Sequence, residues 1–170
     1  MELWDLYTED RQLTGMNHVR GEDIPDGYYH LSVHVWIRNS GGEYLVCQRS
    51  ANRAAFPLMW ETVGGAVLKG ESSLAGAVRE VKEETGINLQ PSDGKLIFSK
   101  VRKTAGGRRC NDILDAWMFR YEGEPDLSRA SSDEVAQSAW MSREQIMQLF
   151  KSKKFVETLA YFFTEVDQEG

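Results

Sequence analysis

The sequence HLSVHVWI (30–37) alternates apolar and polar positions and is rich in β-branched and aromatic residues. After the turn-forming Asn39-Ser40-Gly41-Gly42 comes EYLVCQR (43–49), so the pattern predicts a β-hairpin. Upstream, ELWDLY and QLTGMNHV flank a polar TEDR and predict a shorter hairpin. Residues 50–57 read as an irregular loop with Pro57, and MWETVGG (59–65) as a short strand ending in a glycine pair. From Ser72 to Thr85 the period changes: Leu74, Ala77, Val78 and Val81 recur at intervals of three and four, the mark of an amphipathic helix. Ser72 or Ser73 suits its N-cap and Gly86 its left-handed C-terminal position. KLIFSKVRK (95–103) and CNDILDAWMFRY (110–121) read as strands joined through Ala105-Gly106-Gly107, and QSAWM (137–141) as a final strand. SREQIMQLFKSKKFVETLAYFFTEV predicts one or two helices with an apolar stripe of Phe150, Phe155, Leu159 and Phe162. Strands on either side of a central helix, with helix at the end, give an α/β class: a mixed sheet covered on both faces.

Without a repeat, a low-complexity segment or a linker, residues 1–170 are expected to form one domain. The opening MELWDLYTEDR lacks the basic and apolar segments of a secretory signal, and no run approaches the roughly 18 apolar residues of a membrane span, so a cytoplasmic protein without membrane contact is expected. Cys47 and Cys110 form no metal or disulfide pattern and are expected to be buried, reduced thiols. A net charge of -6 argues against a general nucleic-acid partner, which needs a broad basic face, but leaves room for a small ligand or a metal.

That charge matters most in REVKEETG (79–86), where three glutamates crowd together. At about 100° per residue, Glu80 and Glu84 lie about 40° apart, and Glu83 about 60° to the other side of Glu80. All three share one face, while Leu74, Val78 and Val81 point elsewhere. Such a stripe is either a solvated acidic face or a set of oxygen ligands for a hard cation such as Mg²⁺. Arg79 could pair with Glu83 at the i,i+4 spacing or orient a neighbouring carboxylate.

The longer stretch GAVLKGESSLAGAVREVKEETGI (65–87) decides between these. It resembles the Nudix box, meeting every specified position with Gly65, Glu71, Arg79, Glu80, Val81, Glu83, Glu84, Gly86 and Ile87. A chance match is rarer than about one in a million. The resemblance implies a Nudix-type α/β/α sandwich with a mixed central β-sheet. It also implies metal-dependent hydrolysis of a nucleoside diphosphate linked to another moiety X, with Mg²⁺, or alternatively Mn²⁺, as cofactor. Carried over, Glu80, Glu83 and Glu84 become metal ligands, with the carbonyl of Gly65 or Gly64 as a further one; Arg79 becomes the orienting cation, and Glu71 and Gly86 the structural residues of the box. A box glutamate or an outside carboxylate would act as general base. For the latter Glu134, in ASSDEVAQSAW, is the candidate. Arg49 and Arg53, flanking the loop before the box, are candidates for substrate contact.

Other residues keep two readings. Lys100, Arg102, Lys103, Arg108 and Arg109 could clamp a phosphate or solvate a turn, and Trp36, Trp60 and Trp117 could stack on a base or fill the core. The first 65 residues also resemble the branch containing isopentenyl diphosphate isomerase. Where those isomerases carry a catalytic cysteine and a metal-binding histidine, this chain has Gly64-Gly65-Ala66-Val67. His30 sits where an isomerase metal ligand would, His34 shares its strand face, and Asp112 and Leu114 fall near the expected acidic positions. A hydrolase on an isomerase-like frame is therefore expected, with a non-catalytic nucleotide sensor as the alternative and an isomerase as the remoter one. Homodimers are common among similar proteins, but no stretch identifies an interface.

Overall fold

The computed structural model describes residues 1–168. The strands are β1 (Leu3–Tyr7), β2 (Leu13–Val19), β3 (His30–Arg38), β4 (Tyr44–Arg49), β5 (Trp60–Glu61), β6 (Val63–Ala66), β7 (Lys95–Ala105), β8 (Arg108–Arg120) and β9 (Val135–Met141). The α-helices are α1 (Ser73–Thr85) and α2 (Arg143–Lys151). β1 and β2 form the expected first hairpin, apart from the main sheet. The main sheet runs β5-β4-β3-β8-β7, with β6 also paired to β3 and β9 to β4. β3 and β8 are parallel and the other pairs antiparallel, so the sheet is mixed.

Alternation along β3 divides the core. Val33, Val35 and Ile37 pack with Ala77 and Val81 of α1 on one face. Trp36, on the other face, packs with Tyr44, Ile146 of α2, and Phe155, Leu159 and Phe162. Each face thus buries an apolar layer, as the expected sandwich requires.

Two departures from the sequence pattern shape the site. The predicted 30–49 hairpin is splayed: β3 and β4 are paired at Arg38 and Tyr44, after which β3 pairs with β6 and β4 with β5 and β9. The predicted strand 59–65 is correspondingly broken at Thr62, whose hydroxyl donates to the Val35 carbonyl across the gap. This wedge carries Glu61, Gly64 and Gly65 into the middle of the sheet. A side chain at Gly64 would meet the Val33 carbonyl oxygen at 2.7 Å, so the close approach needs glycine.

The C-terminal segment also departs. α2 starts with a capping box, Ser142 accepting from the Gln145 amide and Gln145 accepting from the Ser142 amide. It stops at Lys151; Lys153 has φ +57°, and the chain continues through a 3₁₀ turn at Glu157–Leu159 and a π turn at Phe162–Val166. The apolar stripe still buries Phe155, Leu159 and Phe162. Hydrogen bonds between Trp60 and residues 154 and 156 replace the helical ones. Cys47 is buried and free as expected; Cys110 is only half-buried. No helix among the described residues is long and apolar enough to cross a membrane.

Candidate metal centre and active site

α1 is built as its sequence requires. Ser72 accepts a hydrogen bond from the Ala75 amide at the N-terminus, and Gly86 takes φ +73° at the C-terminus. A β-carbon at Gly86 would collide with the Asp126 carbonyl and lie 2.9 Å from Arg129. The loop that packs there satisfies the helix's terminal carbonyls: Asp126 N–H donates to Thr85, and the Ser131 and Ser132 amides to Glu83. This docking carries Glu134 toward the acidic face of the helix. The Ser50 amide fixes the Glu134 backbone in turn, donating to its carbonyl at 2.8 Å.

Arg79 organises the box. Its Nε and Nη2 donate to the Glu71 carboxylate at 3.0 and 3.1 Å, its Nη2 to the Ala66 carbonyl at 2.9 Å, and its Nη1 to Glu80 at 2.9 Å and Glu83 at 3.1 Å. Glu71 also accepts from the Leu68 amide at 3.0 Å. One guanidinium therefore ties the loop before α1 to the helix face, and Glu71 holds that loop closed. The first hairpin clamps the same loop from outside, with Leu3 accepting from Lys69 and Asp5 from Gly70.

The three helix glutamates share a face but differ in exposure: the side chains of Glu83 and Glu80 are 40% and 14% exposed, and Glu84 is 4% exposed. Gly65 lies directly beneath this face, where a β-carbon would overlap the Glu80 carboxylate. Glu84 accepts no hydrogen bond among the described residues. Burial, then repulsion from Glu61, Glu80 and Glu134, pushes its carboxyl well above the usual range. Burial raises the Glu80 carboxyl to about 7 despite Arg79, with Glu83 and Glu134 adding to the rise.

Glu61 is a functional candidate that the sequence reading missed. Burial raises its carboxyl, against the charge and hydrogen bond of Arg49. A charged residue inside the apolar run MWETV was its only local signal; its place beside Glu84 follows from the splaying of β3 and β4. Arg49 donates to Glu61 at 2.6 Å and to the Ala55 carbonyl at 2.9 Å, and Arg53 pairs with Glu134 at 2.6 Å. Both arginines therefore stand at the acidic cluster, each already holding a carboxylate. They also line a depression of about 350 Å³ with Arg20.

The second basic group is not brought to the box. Arg102 is held by Asp112 through two bonds of 2.9 and 2.5 Å, Arg109 pairs with Asp26, and Arg108 lies over Phe56. Trp36 is wholly buried, and Trp117 is partly buried against the α1-side core with its indole N–H donated to Ser73. His30 stacks on Trp4 at 4.2 Å, and burial lowers its pKa.

Six carboxylates, Glu61, Glu71, Glu80, Glu83, Glu84 and Glu134, thus meet three guanidinium groups, Arg49, Arg53 and Arg79. A hard divalent cation answers that deficit, since its ligands are carboxylate oxygens, carbonyls and water. The residues present fit such an ion by charge and by donor type. No three acidic, histidine or cysteine side chains among the described residues already converge as a closed metal cage.

The NUDIX domain family model matches residues 28–165. An uncharacterized Nudix hydrolase of Listeria monocytogenes is 34% identical over 164 residues, covering 96% of this chain and 91% of its own. The crystal structure of a MutT protein from Methanosarcina mazei Go1 superposes with TM-score 0.65 at 27% identity, over 83% of this chain and 94% of that one. A Deinococcus radiodurans crystal structure has the same fold, with TM-score 0.70 at 20% identity over 91% and 92% of the two chains. With the box assembled on α1 and the match running through nearly the whole chain, this protein belongs to the Nudix hydrolase family.

Proposed function

We propose that the chain hydrolyses the diphosphate linkage of a nucleoside diphosphate joined to a moiety X, using Mg²⁺ or Mn²⁺ held by Glu80, Glu83 and Glu84 with the Gly65 carbonyl. The observation that carries this reading is Glu84, a buried carboxylate without a hydrogen-bond donor among the described residues, surrounded by further carboxylates. Such a group is costly unless something positive completes it. When bound, the ion would screen the diphosphate, polarise its oxygens and lower the pKa of water.

The chain's own residues do the rest. Arg79 orients Glu80 and Glu83 while Glu71 holds the preceding loop. The Arg20, Arg49 and Arg53 depression attracts the anionic substrate beside the acidic face. Glu134, next to the cluster and paired with Arg53, takes the proton from the attacking water; Glu61 is the alternative base. Neither thiol is offered for isomerase chemistry: Cys47 is buried with its thiol pushed well up, and Cys110 is on β8.

The test is product release from a panel of nucleoside diphosphate derivatives with Mg²⁺ and Mn²⁺ supplied separately. Metal-dependent formation of nucleoside monophosphate is expected. Tight binding of one compound without turnover of any would favour a sensor, and double-bond migration in isopentenyl diphosphate an isomerase.

A further inference from the structure

The wall beside the box glycines holds a polar group that the proposed chemistry does not use. His34 stands opposite Gly64 in the pairing of β3 with β6, next to Val33 opposite Gly65. Because Gly64 has no side chain, the imidazole lies against the β6 backbone, where a β-carbon would meet its Cδ2 at 3.0 Å. Cδ2 is bonded to Nε2, on the side of the ring away from Nδ1. His34 lines a cavity of about 240 Å³ together with Glu61, Gly64 and Gly65. The Ser32 and Thr62 hydroxyls on the same walls are already donated, to Asp112 and to the Val35 carbonyl. His34 Nε2 has no partner among the described residues.

The other edge of the ring is fixed. Nδ1 lies 2.7 Å from the Tyr161 hydroxyl, which also accepts from the Trp36 indole at 3.1 Å. Burial pushes the Tyr161 hydroxyl well up, so it keeps its proton. An indole N–H only donates, so the arrangement that pairs every group has Tyr161 donating to Nδ1. The imidazole proton is then on Nε2, directed away from Tyr161 and toward Gly64. Tyr161 is itself held in place: Phe98 and Trp36 stand edge-on to it at 4.9 and 6.1 Å, and the His34 ring is nearly parallel to it at 5.9 Å.

The position of this donor decides what it meets. Gly65, proposed above to offer its carbonyl to the cation, and Glu61 of the acidic cluster belong to the same cavity. A hard cation there completes its shell with phosphate oxygens, so an N–H on this wall faces the diphosphate. Val33, Val156 and Leu159 make much of the remaining wall apolar, and one directed hydrogen bond counts for more there than in water.

Resting on the hydrolase reading above, we infer that His34 is a further catalytic residue, whose Nε2–H donates to a non-bridging oxygen of the leaving phosphate, and that Tyr161 is the positioning residue that keeps the proton on Nε2. The water oxygen bonds to phosphorus, the bridging P–O bond breaks with its electron pair going to the leaving phosphate, and Glu134 takes the water's proton. The imidazole keeps its own proton and stabilises the added charge. Being uncharged, it does so without repelling the cation.

Two measurements test this. In protein with nitrogen-labelled histidine, His34 should show the Nε2–H tautomer, and methylenediphosphonate with Mg²⁺ should move the Nε2–H proton downfield; Tyr161→Phe should leave the tautomer mixed. In turnover of whichever nucleoside diphosphate derivative of the panel is cleaved fastest, His34→Phe should lower kcat by about 10- to 100-fold and change KM much less, as for a hydrogen bond that strengthens in the transition state. His34→Gln, whose amide can accept from Tyr161 and donate to the phosphate, should restore part of kcat, and Tyr161→Phe should fall between wild type and His34→Phe. A merely structural imidazole would give neither the Nε2–H response nor the rescue by glutamine. The inference is overturned by a silent Nε2–H when calorimetry shows the diphosphonate bound, by no binding of the diphosphonate, by a kcat untouched in His34→Phe, or by a loss confined to KM. Turnover with a silent Nε2–H sinks only the donor, and an Nε2–H response without turnover of any panel compound sinks only the hydrolase reading.

Discussion

Two groups of buried carboxylates lie within the same small fold and are treated in opposite ways. On β8, burial alone would raise Asp112 and Asp115. The bonds and charge of Arg102, with Ser32, nevertheless hold Asp112 below the usual range, and Arg11, Ser73 and Ser99 do the same for Asp115. On α1 and β5, burial is left largely uncompensated, and Glu80, Glu84 and Glu61 are all raised. A carboxylate saturated by a forked guanidinium and hydroxyls is complete and fixes the fold. One left short of donors marks a place where the protein expects positive charge from elsewhere.

The sharpest way to break this contrast is to neutralise one member of each group. Glu84→Gln should lower Mg²⁺-dependent turnover by about a thousandfold, because a ligand of the proposed ion is lost. The metal-free variant should unfold at a temperature equal to or above that of the wild type, since the substitution removes a carboxyl that burial and its acidic neighbours make costly to ionise. Turnover measured beside a melting curve checks both halves; retained activity would mean that the cation site is misplaced. Asp112→Asn should do the reverse. It leaves the buried Arg102 facing a neutral amide and should cost roughly 3 kcal/mol of stability, read as a lower urea midpoint. Any activity loss should then follow the folded fraction.

The two groups were not equally legible in the sequence. The box could be read because its residue types are demanded at fixed helical spacing: Glu80, Glu83 and Glu84 fall on one face of α1 whatever the rest of the chain does, and Ser72 and Gly86 mark its ends. Glu61 could not, because its approach to Glu84 depends on β3 and β4 parting after Arg38 and Tyr44, a tertiary event without a local signature. Nor could the pairing of Arg102 with Asp112, which requires β7 and β8 in register across their turn. After Lys151 the apolar residues were identified correctly while their period misled, since the left-handed Lys153 and the bonds to Trp60 outweigh helix propensity.

The contrast also has a smaller consequence, in the pH dependence of stability. Glu80 has its carboxyl raised from an ordinary 4.5 to about 7, so between those values the folded state binds more protons than the unfolded one. Stability of the metal-free protein must therefore fall as pH rises through that window and level off above it. Glu84 and Glu61, raised for the same reason, act in the same direction. Asp112 and Asp115 act oppositely: their contribution is present above their ordinary 3.8 and is lost as pH falls through their depressed values. Metal-free protein should thus be most stable near pH 4 to 5, about where these two trends meet, and its melting temperature should drop on the order of 5 °C by pH 8. Saturating Mg²⁺ should abolish the drop, because a bound cation favours the ionised carboxylates and its own affinity rises as they lose protons. Calorimetric scans across this range, with and without Mg²⁺, provide the check. A flat metal-free profile, or an Mg²⁺ effect as large at pH 5 as at pH 8, would mean that the α1 carboxylates are already as well compensated as those on β8.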